Sequence, residues 1–330
     1  MIHICHFISS RGLGRGEFYI DLVNEMSKNI GVKISLLIPI EAKFLHRVSK
    51  NINIIEYKSK DSRNNPFLYY ELFNIFRLNR FDLVHTHFAK SSEIFYRLNK
   101  FFKITHVATK HNPRKGSIFN KIKNVTAVSN DVAKSIKNKY VKVIYNGILK
   151  RNIDNKLKVN DRFTIRAIGR LEKIKGFDVL IREMSKIKLD YNLEIVGDGI
   201  EYNNLNKLIN ELNLSNKIKL VGFKENIPEL INSSDLIIIS SFSEGFSLVA
   251  LETIIYGKLL VSTNVGICKE VLPKKFIIED SSYSLNIVDI IKNYDLYKNE
   301  FDDFLNTLDD KFNLENIVEE YLSYYKKVLN

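Results

Sequence analysis

The sequence predicts an α/β protein of two doubly wound, Rossmann-like domains facing a cleft, and three observations carry that expectation. Short β-branched runs alternate with longer amphipathic segments along the chain, the pattern of parallel βα units. A length of 330 residues exceeds what one ordinary core organises and suits two domains. Midway, the run Val141-Lys142-Val143-Ile144-Tyr145 ends at Asn146-Gly147, and the polar stretch Lys150-Arg151-Asn152-Ile153-Asp154-Asn155-Lys156 interrupts the alternation as a linker does. Domains are therefore expected at 1–150 and 151–330, with the C-terminal helices crossing back to the first. Ligand chemistry is expected at the carboxyl ends of the strands.

In the first half, apolar runs place strands near 2–8, 33–38, 52–56, 82–86, 104–109, 124–128 and 141–145. Helical periodicity falls near 16–29, 66–79, 91–99 and 129–138, the last opening with the capping cluster Ser129-Asn130-Asp131. The second half repeats the series, with strands near 163–168, 193–197, 217–221, 235–239, 259–262 and 276–278 and helices near 176–188, 200–212, 226–233 and 247–256. From 284 onward the pattern is helical, with Phe304, Leu308, Ile317, Tyr321 and Tyr324 at core-like spacings.

Composition excludes several classes. With 45% hydrophobic and 27% charged residues and only 14 Gly and 5 Pro, the chain is globular rather than disordered or fibrous. Cys5 and Cys268 sit in opposite halves without metal-ligand spacing, which argues against a disulfide framework or Cys-based zinc and suits a reducing compartment. The opening Met-Ile-His-Ile-Cys-His-Phe-Ile reads as a first strand rather than a signal peptide, and no apolar run approaches the roughly 18 residues of a membrane span. A cytoplasmic location is expected. The net charge of +12 is unevenly spread: residues 1–160 carry 29 basic and 11 acidic side chains, residues 161–330 carry 21 and 27. No nucleic-acid motif accompanies the basic half, so no nucleic acid is expected as partner.

The segment Ser240-Ser241-Phe242-Ser243-Glu244-Gly245-Phe246-Ser247-Leu248-Val249-Ala250-Leu251-Glu252 follows the buried-looking run Leu236-Ile237-Ile238-Ile239. A strand, a polar turn and a helix starting near Ser247 would present first-turn amides and a positive dipole end to a phosphate. Glu244 in the turn and Glu252 inside the helix can address different parts of one extended ligand. A capping Glu244 and a solvated Glu252 fit equally well at this point. Upstream, Ile168-Gly169-Arg170-Leu171-Glu172-Lys173-Ile174-Lys175-Gly176-Phe177 flanks a short loop with Arg170 and Lys175, a fork and a point charge suited to a diphosphate, although solvated loop charges would look the same. Val196-Gly197-Asp198-Gly199 and Val221-Gly222-Phe223 end two further strands.

Together, Gly-Arg-Leu, Lys-Gly-Phe, Val-Gly-Asp-Gly, Val-Gly-Phe and Glu-Gly-Phe with a second Glu eight positions on resemble the nucleotide-binding half of GT-B glycosyltransferases of family 4. The resemblance covers about 163–272 and includes Gly257 through Gly266. It implies diphosphate binding by Arg170 and Lys175, contact of Glu244 with the transferred sugar, and ribose binding by Glu252. Gly222, Phe223, Gly245, Phe246, Ser247 and Leu248 would complete the donor site. Ser247 and Ile267 stand where the family often has glycine, so the donor is not inherited from the family average.

In the first half, Ser9-Ser10-Arg11-Gly12-Leu13-Gly14-Arg15-Gly16-Glu17 is a glycine-rich loop opening a helix. It resembles the family's Gly-Gly-x-Glu loop, with Gly14 and Glu17 in register, Arg15 in place of the second glycine, and Gly16 beside it. His85 and His87 end one strand and point the same way; two imidazoles suggest a metal, but no third ligand is evident nearby, which favours substrate hydrogen bonding or packing. His111 resembles the family's strand-end histidine near the donor sugar.

The resemblance implies retaining transfer of a sugar from a nucleotide-sugar, UDP-sugar foremost, to a glycan or lipid-linked acceptor of a bacterial surface polysaccharide. Arg170, Lys175 and the helix amides near Ser247 would neutralise the leaving diphosphate without a divalent metal, and no Asp-x-Asp motif is present to hold one. No cofactor is expected beyond the nucleotide-sugar co-substrate. An epimerase of the same fold and a non-catalytic binding subunit are the alternatives. The basic half is expected to meet anionic lipid on the inner face of the membrane, with Pro66-Phe67-Leu68-Tyr69-Tyr70, Phe95-Tyr96 and Phe101-Phe102 as candidate anchors.

Overall fold

The computed structural model describes residues 1–9, 18–114, 116–138, 140–153, 162–279, 283–308 and 310–330. The chain divides into two compact units: Met1–Leu149 together with Phe312–Asn330, and Lys150–Lys311. In the first unit the strands are β1 (Ile2–Ile8), β2 (Val32–Pro39), β3 (Asn53–Tyr57), β4 (Leu83–His87), β5 (Thr105–Lys110), β6 (Asn124–Ala127) and β7 (Val141–Val143). They form one parallel sheet in the order β3-β2-β1-β4-β5-β6-β7. Helices α1 (Phe18–Met26), α2 (Pro66–Asn79), α3 (Phe88–Phe102) and α4 (Asn130–Lys134) connect them, and α12 (Leu314–Leu329) joins the same unit.

The second unit holds β8 (Thr164–Ile168), β9 (Asn192–Val196), β10 (Ile218–Gly222), β11 (Leu236–Ile239), β12 (Leu260–Thr263) and β13 (Ile277–Ile278), in the parallel order β10-β9-β8-β11-β12-β13. Its helices are α5 (Phe177–Met184), α6 (Tyr202–Glu211), α7 (Ile227–Asn232), α8 (Leu248–Tyr256), α9 (Cys268–Val271), α10 (Tyr283–Lys292) and α11 (Tyr294–Asn306). Every residue of β4 and of β11 is buried, as strands covered on both faces by helices must be. Strand order reverses between β1 and β4 in one sheet and between β8 and β11 in the other. Each reversal opens a crevice at the carboxyl ends, where doubly wound sheets bind ligands.

Some expected bounds are corrected. The helix foreseen over 129–138 is only Asn130–Lys134: Ser129 caps it through Val132 N–H, but the Ser135 hydroxyl turns back to the Val132 carbonyl, and Asn138 donates to Ile122 O. Helix α3 starts at Phe88 rather than at 91, and α5 stops at Met184, four residues short of 188. Of the core positions expected in the C-terminal helices, Ile317 and Tyr321 are buried, whereas Phe304, Leu308 and Tyr324 are only half-buried; Ile287, Phe301 and Tyr325 are fully buried instead.

Gly147 explains how α12 sits on the first unit. A Cβ there would meet Leu314 Cα at 2.8 Å, so only glycine admits the helix start, and the backbones of Ile148 and Phe312 then hydrogen bond at 2.9 Å. Both cysteines are buried free thiols, and burial pushes Cys268 up to about 12. None of the described helices is long and apolar enough to cross a membrane.

Candidate functional site

In the second unit, the loops after β8 and β11 flank the point of strand-order reversal and are stitched together. Phe242 N–H donates to Ile174 O at 2.9 Å, and the Ser240 hydroxyl donates to Lys175 O at 2.7 Å. Gly176 makes that contact possible: its φ is +63°, and a Cβ would lie 2.2 Å from Ser240 O. The loops bring Lys175 and Glu244 together, with Nζ donating to Oε1 at 2.6 Å, and the Ser241 hydroxyl donates to the same oxygen at 2.7 Å. Lys175 is 19% and Glu244 13% exposed, so the pair is largely withdrawn from water but within reach of a ligand.

Two devices hold Glu244 there. Gly266, at φ +49°, lies so close that its Cβ would stand 2.9 Å from Glu244 Cβ, and the Thr263 hydroxyl donates to Ser241 O at 2.6 Å. Next to Glu244, Ser247 caps α8 by accepting from Ala250 N–H at 3.2 Å, which sets the positive end of a nine-residue helix beside the carboxylate. The arrangement offers a cation, a carboxylate and a helix N-terminus around one strand-end crevice, suited to a ligand carrying both anionic oxygens and hydroxyls.

In the first unit, five histidines lie at or near the reversal between β1 and β4. Strand pairing sets His6 opposite His85 and Ile8 opposite His87. His6, His85 and His87 are buried, with ring nitrogens within 4.8 Å of one another. His6 Nδ1 lies 3.1 Å from His87 Nε2, and His87 Nδ1 lies 3.2 Å from His111 Nε2. His85 uses both nitrogens otherwise, on Tyr325 OH at 2.5 Å and on Thr109 Oγ1 at 2.6 Å. Burial lowers His6, His106 and His111 to about 3 and takes His85 and His87 far below the ordinary imidazole value, so all five are neutral near pH 7.

Phe88, directly after His87, has φ +69°, a strained conformation for a bulky residue. Its ring lies against that of His111 at 4.5 Å between centroids with the planes tilted by 32°, and the Ser92 hydroxyl fastens its carbonyl at 2.7 Å. Nearby, the Ser9 hydroxyl donates to Asp61, which also accepts from Lys90.

The structure thus joins Lys175, Glu244 and Ser247 around one crevice, but places other expected residues differently. Arg170 pairs with Glu172 at 2.5 Å on a side chain 72% exposed, so its guanidinium is not part of the Lys175–Glu244 contact. Gly222 has φ +71° and open space around it, and Phe223 is 55% exposed. Gly245 is buried; Phe246, Leu248 and Glu252 are half-buried. Gly14, Arg15, Gly16 and Glu17 lie outside the described residues.

The reading that His85 and His87 have no third imidazole nearby is corrected by His6. Its only signal in the sequence was alternation on β1, and identifying it requires knowing that β1 pairs with β4 as well as with its sequence neighbour β2. Ser241, the second donor to Glu244, was also missed, because a serine in a Ser-rich turn carries no distinguishing pattern. Of the foreseen aromatic anchors, Phe67, Tyr70 and Phe101 are 76%, 73% and 75% exposed, whereas Leu68 and Phe95 belong to the core.

Two sequence families match the chain: "Glycosyl transferases group 1" over residues 150–299 and "Glycosyltransferase Family 4" over residues 19–149. A Campylobacter jejuni N-acetylgalactosamine-N,N'-diacetylbacillosaminyl-diphospho-undecaprenol 4-alpha-N-acetylgalactosaminyltransferase is 35% identical over 134 residues, 39% of this chain and 36% of that protein. The Escherichia coli O-antigen biosynthesis glycosyltransferase WclY is 28% identical over 158 residues, 45% of this chain and 44% of the relative. The chain therefore spans less than half the length of either. Among solved structures, HepE of Anabaena in complex with UDP superposes with a TM-score of 0.83 at 18% identity, covering 99% of this chain and 100% of that one.

Proposed function

The chain belongs to the GT-B glycosyltransferases of family 4, and from that premise we propose that it transfers a sugar from a nucleoside-diphosphate sugar to a hydroxyl of a glycan or lipid-linked glycan acceptor. The observation that carries this reading is the Lys175–Glu244–Ser241 constellation beside the N-terminus of α8, at the carboxyl ends of β8 and β11. Lys175 and the helix N-terminus stabilise the charge that develops on the leaving diphosphate, and Arg170 swings from Glu172 to join them. Glu244 accepts hydrogen bonds from the hydroxyls of the transferred sugar, and Glu252 binds the ribose. The donor is a UDP-sugar, a choice supported by the UDP complex of the structural relative.

Transfer proceeds with retention and without a divalent cation, the leaving phosphate taking the acceptor proton; this rests on the family and on the cationic groups already present. The acceptor belongs to a surface polysaccharide of the kind named for the two relatives. The protein works in the cytoplasm at the inner face of the membrane, where the exposed rings of Phe67, Tyr70 and Phe101 and the basic first unit meet anionic lipid.

A thermal-shift panel of UDP, GDP, ADP and their sugars tests the donor: UDP and one UDP-sugar should stabilise the protein, in the presence and absence of EDTA. Stabilisation by none of them would remove the nucleotide-sugar reading. Flotation with liposomes should require anionic lipid and weaken with salt; indifference to both would remove the membrane role.

A further inference from the structure

The hydrogen-bonded rings of His6, His87 and His111 have a direction. A neutral imidazole carries one N–H and one bare nitrogen, so a chain of three such rings linked at 3.1 and 3.2 Å can run only two ways. The buried end decides between them. His6 Nε2 is enclosed and has no hydrogen-bond partner, and a buried N–H without an acceptor is rarer in proteins than an unused acceptor. The bare nitrogen of His6 is therefore Nε2. Its Nδ1–H donates to Nε2 of His87, and Nδ1–H of His87 donates to Nε2 of His111.

We propose that His6 and His87 are positioning residues that hold His111 as its Nδ1–H tautomer, so that it meets the ligand as a neutral hydrogen-bond donor suited to a sugar hydroxyl oxygen. His111 is the half-buried end of the chain, with Nδ1 as the nitrogen outside it. Phe88 packs against the His111 ring in a tilted contact and limits its movement, and its strained φ follows immediately on His87. The free side chain in water favours the Nε2–H form, so the site inverts the ordinary preference by supplying Nε2 with a donor.

A metal ion shared by His6, His85 and His87 is the competing use of these rings. It fits less well: both nitrogens of His85 are engaged by hydroxyls, and no carboxylate joins the group to balance a buried dication. The role toward a sugar rests on the proposed transfer reaction; the tautomer does not.

The test is long-range proton–nitrogen correlation NMR on the full chain labelled with 15N-histidine at pH 7, with His111 assigned by its loss in His111→Asn. The expected spectrum shows a protonated Nδ1 and a bare Nε2 on His111. In His87→Phe, His111 should shift to the Nε2–H pattern and kcat/KM for transfer should fall about tenfold. A wild-type His111 already in the Nε2–H form, a pattern unchanged in His87→Phe, or stoichiometric zinc in the purified protein would overturn the proposal. Should His87→Phe fail to fold, the wild-type spectrum alone decides. A wild type that shows the Nδ1–H pattern but transfers no sugar would overturn the role toward a sugar and leave the tautomer standing.

Discussion

Glu244 has two donors, Lys175 and Ser241, on one oxygen, and this asymmetry separates its two informative substitutions. Glu244→Gln keeps an oxygen for both donors and removes the charge; Glu244→Ala also leaves a partly buried ammonium without its partner. Both should lower kcat/KM by roughly 10²- to 10³-fold, the size typical of losing one preorganised polar group. Only the alanine variant should also cost about 1–3 kcal/mol in denaturant unfolding. An alanine variant of wild-type activity would show that the carboxylate only braces the loop. Gly266 tests the same point from behind. Gly266→Ala puts a side chain at φ +49° and 2.9 Å from Glu244 Cβ, so it should cost about 1–2 kcal/mol and lower transfer in the same direction as the Glu244 changes. Glu244 and Lys175 stood out as candidates in the sequence because order and spacing of short motifs survive along a linear chain. That Lys175 and Glu244 touch was not, since the contact spans 69 residues and depends on β8 lying beside β11.

Helix α8 is the element on which the proposed donor site depends, and its N-terminus was readable from Ser247 preceding an apolar run. Ser247→Ala should cost about 1 kcal/mol through loss of the cap to Ala250 N–H. UDP stabilisation should weaken with it, because the frayed first turn no longer presents ordered amides. Unchanged UDP binding in that variant would place the diphosphate elsewhere. Strand and helix order were readable throughout from periodicity. Helix ends were not where side chains compete for the backbone after α4: the Ser135 hydroxyl turns back to Val132 O within the helix, and Asn138 reaches Ile122 O, 16 residues upstream. Helix α3 begins earlier than its pattern because Phe88 enters it through a strained turn that Ser91 and Ser92 hold by hydrogen bonds to His87 O and Phe88 O.

At the scale of the whole molecule, all seven histidines fall within residues 1–149, so the first unit has them all and the second none. Five are held neutral by burial, with His6, His106 and His111 at about 3 and His85 and His87 lowered as well. The unfolded chain takes up protons on these rings below about pH 6.5 while the folded unit does not. Their contribution to stability is therefore complete above about pH 6.5 and is lost progressively as the pH falls toward about 3. Each ring costs roughly 1.4 kcal/mol per pH unit in that window. Calorimetry at pH 7, 6 and 5 should show the transition of the first unit moving down steeply while that of the second moves little. Two transitions that move together would contradict the assignment of burial. Charge follows the same division: with α12 included, the first unit holds 27 basic and 13 acidic side chains, the second 23 and 25. The C-terminal segment thus adds acid to the basic unit, leaving it at +14, still enough to seek an anionic surface.

Composition, alternation and motif order sufficed for the class of fold and the family, because each depends on local spacing along the chain. Parallel sheets, however, assemble strands that are not neighbours in sequence. Pairing β1 with β4 converted three scattered histidines into a buried cluster, and pairing β8 with β11 turned a lysine and a glutamate into an ion pair. Neither register is encoded in any window of the sequence. Burial then set the chemistry of those groups: it made the imidazoles neutral, withdrew the Lys175–Glu244 pair from water, and left Arg170 outside it. Charge state and contact are properties of the environment that distant residues build around a side chain, and so they emerge only with the tertiary fold.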